Sequence, residues 1–208
     1  MRVRLLTFSA LAGLCVAALP GHAATAPKPQ ITDPAGDANG INGQGVVTGA
    51  PSPSTPADAS GADITSVVFQ STFKSVKKAG KTVQTPTGFT VTMTLAAAPT
   101  LPNVIYRVAA SSPDCPSLFL EYSTAVSATT APARCAQTLP KTSGPVAATN
   151  VVKGNSIVWT VPITSIAAGQ TLSSLDDQTR FISGTPGLSL TAPQYDEATS
   201  SATYTVGK

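Results

Sequence analysis

The residues best suited to bind a cation lie close together near the start of the sequence. Asp33 and Asp37 are four residues apart, Asn39 follows them, and glycines recur through the stretch DPAGDANGINGQG. Asn-Gly dipeptides favour tight turns, and glycines let the backbone fold back so that carboxylate and carbonyl oxygens can converge. Calcium takes roughly six to eight hard oxygen ligands in a flexible geometry. The segment therefore predicts a calcium site, against the alternative of capped turns in a solvated loop.

A second segment has to complete such a site, because two aspartates and one amide supply too few ligands. Asp63 begins the first strongly strand-like stretch after a long loop and is the best candidate. A cation shared by Asp33, Asp37 and Asp63 would fasten both ends of that loop. The spacing does not match an EF-hand, since Thr48 stands where the twelfth residue counted from Asp37 would be a bidentate Glu.

The two other acidic pairs are expected at the surface, where charged side chains are most common. Asp176 and Asp177 are adjacent in a predicted turn, and Asp196 and Glu197 precede the last predicted strand. A less favoured alternative lets Asp196 or Glu197 supply another calcium oxygen. Glu121, on a predicted strand, is expected on its solvated face.

The residue types argue against an enzyme. The only histidine, His22, lies in a predicted leader, so the mature chain can form neither a Ser-His nor a Cys-His pair. Catalytic zinc would lack histidine ligands. Carboxylates for glycoside chemistry are available, but no spacing pairs an acid with a nucleophile. We expect a non-catalytic protein, and a carboxylate-based glycoside-active enzyme is only the third choice.

Residues 1–23 have the organisation of a secretory signal peptide. Arg2 and Arg4 precede a mostly apolar run from Leu5 to Leu19, and small residues mark a cleavage position after Ala23. The run is shorter than the ~20 apolar residues that a membrane-spanning helix needs. We therefore predict a secreted, extracellular protein without a membrane span.

Two cysteines, Cys115 and Cys135, remain after the leader is removed. An even pair in an oxidising compartment predicts one disulfide bond. The net charge of +3 for the whole chain falls to +1 because Arg2 and Arg4 leave with the leader. Such a chain has no electrostatic footprint for nucleic acid.

Low charge and abundant Thr, Ser, Val and Ala predict an all-β protein. In the clearest strand, 88–95, apolar residues alternate with threonines. We predict a two-sheet antiparallel β-sandwich, jelly-roll-like, as a single domain over 31–208. A flexible tail at 24–30 precedes it, and a long Gly/Pro/Ser-rich loop occupies 34–62. Further strands are predicted at 63–73, 104–110, 117–123, 146–152, 156–161, 180–183 and 202–206, with at most one helical turn within 163–175.

The motif D-P-A-G-D-A-N-G, followed by a Gly/Pro-rich stretch and then G-A-D-I-T, resembles the opening of a secreted β-sandwich family. That family includes the C-terminal domain of glucodextranase-like proteins and is related to family 9 carbohydrate-binding modules and DOMON-like folds. The resemblance covers residues 31–73 in motif and implies structural calcium at Asp33, Asp37 and Asp63. The aromatic residues that often follow the motif are absent between Gly43 and Gly61, which weakens the implied sugar binding more than the calcium site.

Sugar-binding modules use exposed aromatic side chains as binding platforms. The tyrosines that could line a ligand rim are Tyr106, Tyr122, Tyr195 and Tyr204. We expect a secreted binding or surface-associated module, with a glycan as the preferred ligand. The alternative is a structural or adhesion protein without a small-molecule ligand.

One basic segment, FKSVKKAGKT, is predicted to form a hairpin tip carrying Lys74, Lys77, Lys78 and Lys81. A solvated turn is the simplest interpretation. The functional alternative is electrostatic contact with an anionic cell-wall polymer.

Overall fold

A computed structural model of the 208-residue chain describes residues 27–38, 60–125, 131–136, 144–181 and 194–208. Within these ranges the chain forms β-strands joined by turns and no helix. The predicted signal peptide at 1–23, Asn39 and most of the predicted 34–62 loop lie outside the described residues.

The strands are distributed along the whole described chain. In order they are β1 (Ile31–Thr32), β2 (Ile64–Lys78), β3 (Lys81–Leu95), β4 (Val104–Ser111), β5 (Ser117–Ser123), β6 (Ala133–Ala136), β7 (Gly144–Pro145), β8 (Thr149–Lys153), β9 (Ser156–Pro162), β10 (Thr171–Phe181), β11 (Gln194–Ser200) and β12 (Tyr204–Thr205).

These strands form two antiparallel sheets that pack against each other. The first sheet has the order β1-β2-β3-β9-β8. The second has the order β11-β10-β4-β5-β6-β7, and β12 pairs with one end of β10. This arrangement confirms the predicted all-β, two-sheet antiparallel sandwich.

The core lies between the two sheets and follows the period-two pattern of the sequence. On β3 the buried residues Phe89, Val91 and Met93 alternate with partly exposed threonines, as predicted. Trp159 on β9 is fully buried, and its indole Nε1 donates a hydrogen bond to the Glu121 carbonyl oxygen on the opposite sheet at 3.1 Å. One aromatic side chain thus joins both layers of the sandwich.

The largest departure from the predicted elements is β10. We expected at most a helical turn and then a solvated Asp176-Asp177 turn, but Thr171–Phe181 is one strand between β4 and β11. Leu172 and Leu175 are buried at its start, whereas buried polar residues such as Asp177 follow. Polar side chains on the inward face conceal the apolar alternation by which a strand is usually predicted.

Glu121 is not solvated as predicted but only 1% exposed. Its Oε1 lies 2.7 Å from Arg107 Nη2, and its Oε2 lies 3.2 Å from Arg134 Nε. Two guanidinium groups therefore neutralise this carboxylate, and such pairing is what makes the burial of a charged side chain tolerable.

A disulfide bond joins Cys115 to Cys135 on β6, with their Cα atoms 5.7 Å apart. The predicted pairing is confirmed.

The ranges that the structure describes contain no helix with the length and apolar character required to cross a bilayer.

Replacing both cysteines with serine (Cys115→Ser/Cys135→Ser) is expected to lower the free energy of unfolding by about 3 kcal/mol. The disulfide restricts the unfolded chain, and its removal restores that conformational entropy. Denaturant unfolding measures the change, and wild-type protein under reducing conditions should show the same loss. An unchanged unfolding midpoint in both samples would contradict a stabilising disulfide.

Candidate metal centre

The chain that leads into Asp33 is fixed along the edge of β2. The Asp33 amide donates to the Thr65 carbonyl oxygen at 3.1 Å. Three residues earlier, the Gln30 amide donates to the Val67 carbonyl oxygen at 2.9 Å, and Gln30 Oε1 accepts from the Phe69 amide at 2.6 Å. Gln30, the last residue of the predicted flexible tail, is therefore part of the sheet edge, and Asp33 has a defined position.

The turn after Asp33 brings the next aspartate back towards the sheet. Gly36 has a φ of +94°, a conformation that glycine adopts without the steric cost met by other residues. Its amide donates to Asp63 Oδ2 at 2.6 Å. The DPAGD motif is thereby tied to Asp63, and Asp37 follows directly at the surface.

Asp63 is held by a turn that packs against the second sheet. The Tyr106 hydroxyl donates to the Gly61 carbonyl at 2.6 Å, and Thr179 Oγ1 donates to the Ala62 carbonyl at 2.7 Å. A Cβ at Gly61 would lie 2.7 Å from the Ala98 carbonyl oxygen, so a larger residue does not fit there. Side chains from β4 and β10 thus position the aspartate that begins β2.

Asp196 on β11 joins the two sheets at this edge. Its Oδ2 accepts a hydrogen bond from the Ile64 amide on β2 at 2.6 Å, and its Oδ1 accepts from the Glu197 amide at 2.9 Å. The side chain is only 5% exposed. The surface turn predicted for Asp196 is therefore wrong, because this residue lies on a strand and is buried between the sheets.

Carboxylate oxygens of Asp33, Asp37 and Asp196 all lie within 4.8 Å of one another. The structure thus brings together the two aspartates of the DPAGD motif, as predicted. The third member of this set is Asp196, the less favoured alternative, whereas Asp63 lies beside the group and receives the Gly36 amide. Asn39, the other predicted ligand, lies outside the described residues.

Three buried carboxylate oxygens in this region have no hydrogen-bond partner among the described residues: Asp33 Oδ2, Asp63 Oδ1 and Asp177 Oδ2. Asp177 on β10 is completely buried, and its other oxygen accepts from the Ala198 amide at 3.0 Å. Buried polar atoms in folded proteins are almost always paired with protein, water or an ion. Hard, anionic oxygens without donors fit a cation such as calcium.

Burial and mutual repulsion raise the pKa of these carboxyl groups. Burial, followed by the charges of other aspartates, raises the pKa of Asp177 to about 8 and that of Asp196 to about 7. The pKa values of Asp33 and Asp63 are also raised, first by burial and then by the charge of Asp37. Within the part of the chain that the structure describes, the charged neighbours responsible are all carboxylates, so the site favours either protons or a bound cation.

Sequence reasoning missed Asp177 and Asp196 as inward-facing residues. On the paired strands β10 and β11, Asp177 lies opposite Ala198 and Thr179 lies opposite Asp196. A usable signal was present, since Leu175, Asp177 and Thr179 continue one period-two face. That face would have placed Asp177 inside the sheet.

The predicted tyrosine rim is not assembled. Tyr106 is fully buried, and Tyr204 is 8% exposed with its hydroxyl 2.6 Å from Ser71 Oγ. Tyr122 is half-buried and packs against Tyr106 with ring centroids 5.8 Å apart. Tyr195 lies on β11, but its side chain is outside the described part of the structure. The described tyrosines therefore do not form an exposed stacking platform.

No protein-family model, curated protein or solved structure matches this chain. An oxygen cluster of this kind can bind a hard cation. Asp33 lies beside β1, Asp37 lies after the following turn, and Asp196 lies on β11, so a bound ion would cross-link parts of the chain that are remote in sequence.

In the presence of a chelator, the free energy of unfolding is expected to fall as the pH rises from about 4 to about 8. Asp177 and Asp196 have raised pKa values in the folded protein and ordinary values, near 3.9, in the unfolded chain. The folded state therefore binds more protons in this pH window, and raising the pH removes that stabilisation.

Denaturant unfolding at about pH 5 and about pH 8 in chelator measures this slope. The variant Asp177→Asn should flatten it, whereas Asp114→Asn, at an exposed loop residue that bonds Gln170, should leave it unchanged. A metal-free protein that gains stability towards pH 8 would refute the electrostatic description of this edge.

Proposed function

We propose that this protein is a secreted, non-catalytic β-sandwich module in which one structural calcium ion fastens the N-terminal segment to the core. The convergence of carboxylate oxygens from Asp33, Asp37 and Asp196 within 4.8 Å carries the proposal. The unpartnered buried oxygens of Asp63 and Asp177 beside them support it independently. The resemblance of the DPAGD and GADIT motifs to calcium-binding secreted sandwiches points the same way.

The donor chemistry favours calcium over other divalent cations. Zinc prefers nitrogen and sulfur ligands, and the cluster offers oxygens. Magnesium demands near-ideal octahedral geometry, whereas calcium accepts a larger and more flexible oxygen shell. Asp37 is exposed, so water can complete the coordination from the solvent side. A shell built from separate chain segments plus water suits calcium best.

A calcium ion at this position would relieve the main electrostatic conflict of the fold. The carboxylates repel one another, and their burial disfavours the charged state. A divalent cation compensates that charge while connecting the turn after β1 with β11. Extracellular calcium modules commonly bind with dissociation constants of roughly 10⁻⁴–10⁻³ M, so the ion would order this edge without creating the fold.

Secretion and the absence of catalysis are supported by different residues. The leader pattern at 1–23 and the Cys115–Cys135 disulfide both suit an oxidising extracellular environment. The disulfide leaves neither cysteine as a thiol nucleophile. Glu121, one of the carboxylates available for glycoside chemistry, is bound to two arginines in the interior. The disulfide between the cysteines and the ion pairs of Glu121 favour a binding or structural role over catalysis.

Calcium is expected to raise the melting temperature at neutral pH. At a free concentration ten times the dissociation constant the gain is about 1.4 kcal/mol, which is roughly 3–6 °C for a domain of this size. Differential scanning calorimetry in calcium and then in chelator measures it. Magnesium at the same concentration should give a smaller shift.

A pair of variants tests the location of the calcium site. Asp37→Asn removes an exposed ligand without touching the core and should abolish most of the calcium shift, whereas Asp114→Asn should retain it. If wild-type protein shows no calcium shift, or if both variants keep it in full, the proposed site is wrong.

We propose a glycan as the ligand of the module, bound at a shallow hollow between β10 and β11. The hollow has a volume of about 720 Å³ and presents hydroxyl groups and one carboxylate, the partners that sugar hydroxyls use. Its lining residues are Ser173, Ser174, Leu175, Asp176, Thr199, Ser200 and Ser201. The buried tyrosines weaken the case for stacking, so recognition would depend on hydrogen bonds.

A screen against soluble and cell-wall polysaccharides is expected to find a ligand whose binding Ser201→Arg weakens at least tenfold. Ser201 is exposed, and a long side chain at this position would fill the hollow without disturbing the core. Thr164→Arg, at an exposed turn residue elsewhere, is the matched control and should bind normally. Lack of binding to every polysaccharide would instead favour a structural or adhesion protein without a small-molecule ligand.

A further inference from the structure

A long hairpin projects beyond the pairing partners of the first sheet. In the described structure β2 pairs with β1 only as far as Val67, and β3 pairs with β9 only as far as Gly88. Residues 73–86, named here the hairpin arm, therefore pair only with each other. Every residue from 73 to 84 is exposed. No residue of the arm is in the buried core, and within the described residues both edges of its two-stranded ribbon are open.

All charged side chains of the arm are positive. It carries the four lysines of the predicted basic hairpin tip and no aspartate or glutamate. The tip turns at Ala79 and Gly80, whose φ values of +49° and +79° match the tight turn preferred by two-residue hairpins. The predicted hairpin is thus confirmed, and its charge is concentrated on a narrow projection.

The arm also exposes an unusual share of large apolar side chains. Phe73 and Val83 are each 44% exposed and Val76 is 38% exposed. Val76 lies directly opposite Val83 in the strand pairing. When a partner covers apolar groups that were exposed to water, the free energy of the system falls.

Lysines and valines share one face of the ribbon. Because alternate residues of a strand point to the same side, the register places one set of side chains around the Val76–Val83 pair. That set is Lys74, Val76, Lys78, Lys81, Val83 and Thr85. Ser75 and Gln84 lie on the other face and are joined by a hydrogen bond of 3.0 Å. That face also carries Phe73, Lys77, Thr82 and Pro86, and so has only one lysine. One face of the arm is therefore an apolar pair bordered by three positive charges.

We propose that the hairpin arm docks onto an anionic lipid bilayer. Lysine ammonium groups would contact the phosphates of anionic lipids, while their hydrocarbon stems and the two valines reach the boundary between headgroups and acyl chains. Each lysine near an anionic membrane surface contributes about 1 kcal/mol. The complementarity is both electrostatic and apolar, which is what such a surface requires.

Two other occupants fit less well. A second copy of the chain could pair with an open strand edge, but two arms side by side would bring lysines together without any acidic partner. A soluble polyanion would bind through ion pairs with the lysines alone and would leave the Val76–Val83 pair exposed to water. The lipid surface uses both features of the same face.

Vesicle co-sedimentation of the intact protein tests this inference. Vesicles of phosphatidylglycerol and phosphatidylcholine in equal amounts should bind the protein, and phosphatidylcholine alone should not. Chelator is present throughout, so that calcium cannot bridge the aspartate cluster to lipid phosphates and the result is independent of the proposed calcium site. Raising the salt from about 0.1 M to about 1 M, which shortens the screening length from ~10 Å to ~3 Å, should release the protein.

Two multiple variants separate the contributions of the shared face. The triple variant Lys74→Gln/Lys78→Gln/Lys81→Gln should weaken vesicle binding about a hundredfold, at about fivefold for each lysine. The double variant Val76→Ser/Val83→Ser should weaken it about tenfold without changing the charge. Lys153→Gln and Val151→Ser, at exposed positions on the edge strand β8, are the matched controls and should bind normally. All of the replaced residues are exposed, and equal melting temperatures would verify folding.

A soluble polyanion, heparin, provides the opposing outcome. If heparin binds the wild type and the Val76→Ser/Val83→Ser variant equally well, and vesicles do not bind, the arm recognises a polyanion and the lipid inference is overturned. Failure to bind phosphatidylglycerol vesicles at low salt overturns it as well. A Val83→Trp reporter, which places the indole on the docking face, should shift its emission to the blue only with anionic vesicles, and that result would support the inference.

Discussion

Burial of negative charge at one edge of the sandwich is the constraint on which the local architecture depends. Asp196, Asp177 and Asp63 are withdrawn from water where the edge of one sheet meets the edge of the other. Isolated buried carboxylates are strongly unfavourable. Each of these three accepts a hydrogen bond from a backbone amide, and in all three cases that amide belongs to a segment remote in sequence. The bond from the Ile64 amide to Asp196 also joins the two sheets, so one of the contacts that make the charge tolerable is part of the topology as well.

The rest of the edge is organised around this requirement. The turn before β2 is held by the Tyr106 hydroxyl and by Thr179 Oγ1, both from the opposite sheet, and this places Asp63 against Gly36. Among the described residues, one oxygen each of Asp33, Asp63 and Asp177 has no donor, and the proposed cation would compensate this charge. At the other end of the same long hairpin the conditions are reversed, since lysines are exposed and no acid is present. The first sheet therefore has an acidic, buried end and a cationic, exposed end.

Much of the fold could be predicted because its core obeys simple alternation. Phe89, Val91 and Met93 on β3 and Trp159 on β9 have the period-two pattern of half-buried strands, and the two cysteines pair as an exported chain would suggest. The candidate site was only half predictable. Asp33 and Asp37 are only four residues apart and flank one glycine-containing turn, so local reasoning reaches them. Asp177 and Asp196 become neighbours through strand pairing, and acidic residues on an inward face contradict the preference on which burial is usually predicted. Glu121 escaped prediction for the same reason, since its burial depends on two arginines from other strands.

The hydrogen bond between Asp196 and Ile64 spans 132 residues of sequence. Contacts of such separation close late, because the entropy of the intervening chain opposes them until other structure has formed. The oxygen cluster is therefore complete only after β11 has docked, and the front half of the chain lacks it during synthesis. A cation held there would stabilise only conformations in which β11 has already docked. Its effect would then be to lengthen the lifetime of the native state rather than to accelerate its formation.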